Sequence, residues 1–148
     1  MKLHVIIYLS LLLFVGSGCS DFLDVQPKDK QSEEQLFATR GGFYTAVNGI
    51  YNKLAGSTLY GKNLTYEMID ILAFRYTPLS VNKYYTALVK PDYTDETVEA
   101  NLSSIWSSAY ATILNCNVLL KNLEISTGVL NEQEKKVLTG EALALRAF

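Results

Sequence analysis

Asp95 to Gly128 reads DETVEANLSSIWSSAYATILNCNVLLKNLEISTG. Val98, Leu102, Ile105, Ala109, Ile113, Cys116, Leu120 and Leu123 recur through it at helical spacing. The stretch predicts one helix of about seven turns, roughly 40 Å long, starting near Asp95 and closed by Ser126-Thr127-Gly128. Asn131 with Glu134 then offers a capping box for a returning helix that carries Leu138, Ala142 and Leu145 on one face. A long helix, a glycine turn and a returning helix make an antiparallel αα-hairpin. The sequence stops on GEALALRAF with no Gly, Asn or Pro to close that last helix. A hairpin of this kind buries its apolar face only against neighbours, so the expectation is an N-terminal fragment of a larger α-helical domain.

Working upstream, Ser32 with Gln35 forms a first capping box, and Leu36, Phe43, Val47, Ile50 and Leu54 share one face before Gly56. One helix is predicted across this span, with Gly41-Gly42 inside it at about 1 kcal/mol per glycine relative to alanine. A further helix is predicted from about Leu59 to Phe74, with Leu64, Met68, Ile71 and Leu72 on its face. From Tyr76 to Asp95 the helical period disappears, and Pro78 and Pro91 act as breakers. The fold class that results is all-α, with helical hairpins joined by long irregular loops.

The N-terminus is of a different kind. Lys2 precedes the apolar run VIIYLSLLLFV from Val5 to Val15, shorter than the ~18 residues that span a bilayer. Residues 1–18 read as a signal peptide, with residues 19–31 as a lipidated tether and residues 32–148 as the helical domain. Gly16-Ser17-Gly18-Cys19 resembles a bacterial lipobox, in which Cys19 carries the lipid; Gly16 stands where that motif has an aliphatic residue. With Cys19 acylated, Cys116 is left without a disulfide partner. A net charge of −2 gives no basic surface for nucleic acid. His4, the sole histidine, lies in the leader, which removes histidine triads and histidine metal ligands from the mature chain. No cofactor or metal is indicated.

The carboxylate pairs Asp92/Asp95 and Glu132/Glu134 raise glycoside hydrolysis as a class. Each pair sits at a turn or a helix start, where capping explains it. Ala144 and Phe148 fit the A-x3-F element of a tetratricopeptide repeat, and Trp106 resembles its first-helix tryptophan, although Ala109-Tyr110 replaces the expected Leu-Gly.

CSDFLDVQPKDK after the lipobox, EEQLFATRGGFYTAVNGIYNKL as first helix, and the closing GEALALRAF together resemble the N-terminus of a SusD/RagB-family lipoprotein. That resemblance implies a tetratricopeptide-like scaffold held by lipid on the outer face of the outer membrane of Bacteroidota. It implies a SusC-type TonB-dependent transporter as partner, an oligosaccharide or other polymer-derived nutrient as ligand, and binding without catalysis. A tetratricopeptide-like scaffold that docks protein at the outer membrane is the alternative.

Six of the ten tyrosines fall between Tyr60 and Tyr93. Aromatic faces stack on the C–H faces of sugar rings while neighbouring polar groups bond the hydroxyls. Tyr76, Tyr84 and Tyr85 are the candidate stacking residues, with Asp70, Arg75 and Asn82 as polar partners.

Overall fold

The computed structural model describes residues 32–76, 82–90 and 92–148. The leader, Cys19 and the tether to residue 31 lie outside them. The helices form one compact unit, Glu33–Phe148. In chain order they are α1 (Glu33–Phe37), α2 (Arg40–Leu54), α3 (Met68–Leu72), α4 (Lys83–Val89), α5 (Glu96–Ile125) and α6 (Glu132–Ala147), and no strand occurs among the described residues. The protein is all-α.

The α5–α6 hairpin forms as its sequence predicts. Asp95 caps α5 by accepting from the Thr97 and Val98 amides, and Glu96 and Glu99 sit where the helix dipole favours anions. The helix runs 30 residues, about 45 Å. Gly128 turns the chain at φ 75°. Lys135 then reaches back to the Glu124 and Ser126 carbonyls at 3.3 and 3.1 Å, covering the negative end of α5. Both halves of the Asn131–Glu134 capping box are present. Further along, Arg146 donates to Asn117 at 3.0 Å, which fixes the antiparallel register.

Two apolar clusters share α5. The first joins Phe37, Phe43, Val47 and Ile50 of α1–α2 to Cys116, Leu119 and Leu123 of α5 and to Leu138 and Ala142 of α6. The second joins Met68 and Ile71 of α3 to Ala87 and Leu88 of α4 and Val98 of α5. The buried line on the second half of α5 passes through Thr112, Cys116, Leu119 and Leu123. Leu119 is therefore the deep residue and Leu120 only a flanking one. The 4-3-4 spacing follows from α2 and α6 both packing on that half of the helix.

Three expectations are corrected. The first helix is two: α1 stops at Phe37, and Thr39 caps α2 by accepting from the Gly42 amide at 3.1 Å. Gly42 is the reason. A Cβ there would stand 1.6 Å from the Leu36 carbonyl oxygen, so only glycine lets α2 begin this close to α1.

The predicted helix from Leu59 is also shorter, since only Met68–Leu72 is helical. Before it the chain makes wide turns, with Gly61 N–H donating to Gly56 and Leu64 N–H to Leu59. A Cβ on Gly61 would lie 2.1 Å from the Ala55 carbonyl oxygen. The backbones touch there and a regular helix cannot form. Finally, the 76–95 segment holds a two-turn helix: Asn82 accepts from the Tyr85 amide and starts α4.

Candidate functional site

The tyrosine-rich segment splits into a buried part and a surface part. In the buried part, Tyr84 and Tyr85 begin α4 and pack against the α3–α4–α5 cluster. Their rings lie 5.3 Å apart at 54°. The Tyr85 hydroxyl donates to Glu67 at 2.5 Å, and Lys62 closes on the other Glu67 oxygen at 2.9 Å. This bridge ties the 62–67 turn to α4. Burial alone pushes Glu67 up, but the Tyr85 hydroxyl and Lys62 outweigh it and hold the carboxyl below its ordinary value. The same hydrogen bond raises Tyr85. The Tyr84 hydroxyl is buried with no hydrogen-bond partner among the described residues. Burial, then the nearby Glu67 charge, pushes it up to about 12.

The surface part is built at the end of α3. Asp70 pairs with Arg75 at 3.6 Å and accepts from the Tyr76 hydroxyl at 3.4 Å. The carboxylate is largely covered while Arg75 and Tyr76 stand in solvent. The Arg75 N–H donates to the Asp70 carbonyl at 2.9 Å, so the backbone turn itself brings the two side chains together. Of the residues singled out from sequence, Asp70, Arg75 and Tyr76 thus form one surface group. Tyr84 and Tyr85 pack instead against the α3–α4–α5 cluster, and Asn82 serves as a helix cap.

Lys62 and Glu67 belong to this region and no sequence pattern marked them. Phe74 was missed as well. It holds the left-handed position that ends α3, at φ 56°, with its ring 67 % exposed. A non-glycine residue in that conformation costs about 1–2 kcal/mol.

Elsewhere, three of the four carboxylates that raised hydrolysis are engaged structurally, and the fourth, Glu132, lies in the first turn of α6. Asp92 accepts from the Thr94 amide and hydroxyl, Asp95 caps α5, and Glu134 joins its capping box and pairs with Arg40 of α2. No group of three or more metal-ligating side chains occurs among the described residues. A pocket of about 130 Å³ lies between Leu59, Tyr60, Ile113, Leu145 and Phe148, with the Phe148 ring 4.7 Å from Tyr60. It is smaller than the ~300 Å³ at which small-molecule pockets begin.

The profile of a SusD-like family, described as starch-binding and associating with the outer membrane, matches residues 21–148. SusD-like protein P2 of Formosa agariphila is 28 % identical over the whole chain, which spans 28 % of that relative. SusD-like protein P25 of the same organism is 24 % identical, with the chain spanning 29 % of it. The chain therefore spans under a third of the curated relatives it matches. No solved structure matches it significantly. With an all-α fold and a family profile that matches almost its whole length, the chain belongs to the SusD-like family.

Proposed function

We propose that this chain is the N-terminal portion of a surface lipoprotein that binds a glycan without hydrolysing it and passes it to a SusC-type transporter. Family membership supports a starch- or glycan-binding role at the outer membrane. The Asp70–Arg75–Tyr76 group carries the assignment within this chain. An exposed aromatic ring and an exposed guanidinium are held by one carboxylate that needs no ligand to stay in place. That arrangement offers a stacking face beside hydroxyl-bonding donors. Tyr85 ties α4 to Glu67, and Tyr84 packs with it against the cluster that holds α3 in place. Lipid on Cys19 holds the protein at the membrane, facing outward.

Calorimetry with maltoheptaose and a panel of neutral oligosaccharides tests this. Tyr76→Ala and Arg75→Ala should each weaken binding several-fold, about 1 kcal/mol. Cys19→Ala should release the protein from membranes. Shortened sugars in the reaction mixture would reject the non-enzymatic reading. A protein-docking scaffold is favoured instead by Trp106, Tyr110 and Leu114, which stand exposed in line on α5. Recovery of a protein partner other than a transporter, with no glycan bound, would select it.

A further inference from the structure

The chain leaves α3 through a turn in which the Phe74 N–H donates to Ile71 at 3.0 Å and the Arg75 N–H to Asp70 at 2.9 Å. These are the paired bonds of a Schellman cap, whose left-handed position is normally glycine. Phe74 occupies it, the one non-glycine residue at positive φ among the described residues. Among the described residues, neither burial nor pairing compensates the strain. The ring belongs to neither apolar cluster and has no aromatic partner among the described residues.

A lone exposed phenylalanine means little, since single apolar side chains are common on surfaces. A strained backbone that delivers such a ring to solvent is a different matter, because glycine would remove both the strain and the exposed apolar area. Strained residues of this kind persist where the group they present is used. The position of the ring narrows the use. It precedes Arg75 and Tyr76 directly, beside an Asp70 carboxylate already committed to both. The charged groups that flank it along the α3 terminus, Asp70 and Arg75, are paired with each other. An uncharged partner with a flat C–H face and hydroxyl edges fits that surface better than an anion.

We propose that Phe74 is a second stacking residue, beside Tyr76, of a neutral-glycan subsite. Its ring lies on one pyranose face while the Tyr76 ring takes the adjoining one and Arg75 bonds the hydroxyls. The proposal rests on the glycan-binding reading, and it predicts opposed effects on stability and affinity. Phe74→Gly should raise the melting temperature by about 3 °C and weaken maltoheptaose binding about five-fold. Phe74→Asn, which also tolerates the left-handed conformation, should behave in the same way and guards against misfolding of either variant.

A fall in melting temperature in both variants would mean that the ring packs structurally, and the proposal fails. A stabilised Phe74→Gly with unchanged affinity, while Tyr76→Ala loses affinity, would reject Phe74 and leave the glycan-binding reading standing. Wild-type protein that binds no member of the neutral panel would overturn both. Tighter binding of polygalacturonate than of any neutral sugar would overturn the assignment to an uncharged ligand.

Discussion

Replacing Tyr84 by Phe should make the protein more stable, by an amount that grows with pH. The Tyr84 hydroxyl is buried and has no hydrogen-bond partner among the described residues, while its ring packs in the α3–α4–α5 cluster. Removing only the oxygen keeps the packing and removes a desolvated polar group, worth about 1 kcal/mol at neutral pH. The ionisation adds a second component. Burial raises Tyr84 from 10.0 to about 12, so the fold favours the neutral phenol. That contribution is fully present below pH 10.0 and is lost as pH rises toward 12. Its ceiling is about 2.7 kcal/mol, and solvent around the half-buried ring reduces it to roughly 1–2 kcal/mol. Urea denaturation of wild type and Tyr84→Phe at pH 7 and pH 11 measures both components. The variant should exceed wild type by about 1 kcal/mol at the lower pH and by about 2 kcal/mol or more at the higher. Tyr85 titrates in both proteins and cancels from the difference. A variant less stable than wild type at pH 7, or one that loses stability in parallel with it at alkaline pH, would refute the reasoning.

The two adjacent glycines of α2 should separate cleanly. Gly42→Ala places a Cβ against the Leu36 carbonyl and should cost about 3 kcal/mol or more, whereas Gly41→Ala meets nothing within 4 Å and should stabilise by up to about 1 kcal/mol; thermal melts of both check this. Glu67→Gln should lower the melting temperature at pH 7, because the Tyr85 and Lys62 contacts favour the carboxylate. Since Glu67 is held below its ordinary value of 4.5, that stability is present above 4.5 and lost as pH falls through the lower folded value. The melting curves of wild type and variant should therefore converge in strong acid.

The α5–α6 hairpin was legible because every signal that defines it is local. Asp95, Gly128, Asn131 and Glu134 are caps and turns whose partners lie within four residues. The break at Thr39 was not, since it depends on the Leu36 carbonyl meeting Gly42, and a glycine pair inside an apolar period reads equally as a weak helix interior. The turns from Gly56 to Lys62 misled for a related reason. Leu59, Leu64 and Met68 do face the interior, but a backbone contact at Gly61 sets their spacing. In the 76–95 segment, Pro78 and Pro91 bracket α4 instead of breaking it, and Asn82 before KYYTALV was the available signal. Asp70, Arg75 and Tyr76 were singled out because polar and aromatic residues crowd one stretch of sequence. Phe74 carries no compositional mark; its conformation singles it out.

One helix serving two cores has a consequence for how the molecule opens. The first cluster closes between Phe37 and Ala142, the second between Leu64 and Ile105. The shorter loop is the easier one to re-form. Opening of the second cluster leaves the other half of α5 clamped by α2 and α6. Amide exchange should then divide a continuous helix into two cooperative units. Amides around Val98 to Ile105 should exchange together with α3 and α4, and those from Cys116 to Leu123 only when the whole unit unfolds. The Asp70 group rides on the unit that opens first. It can adapt to what it meets while the first cluster stays folded.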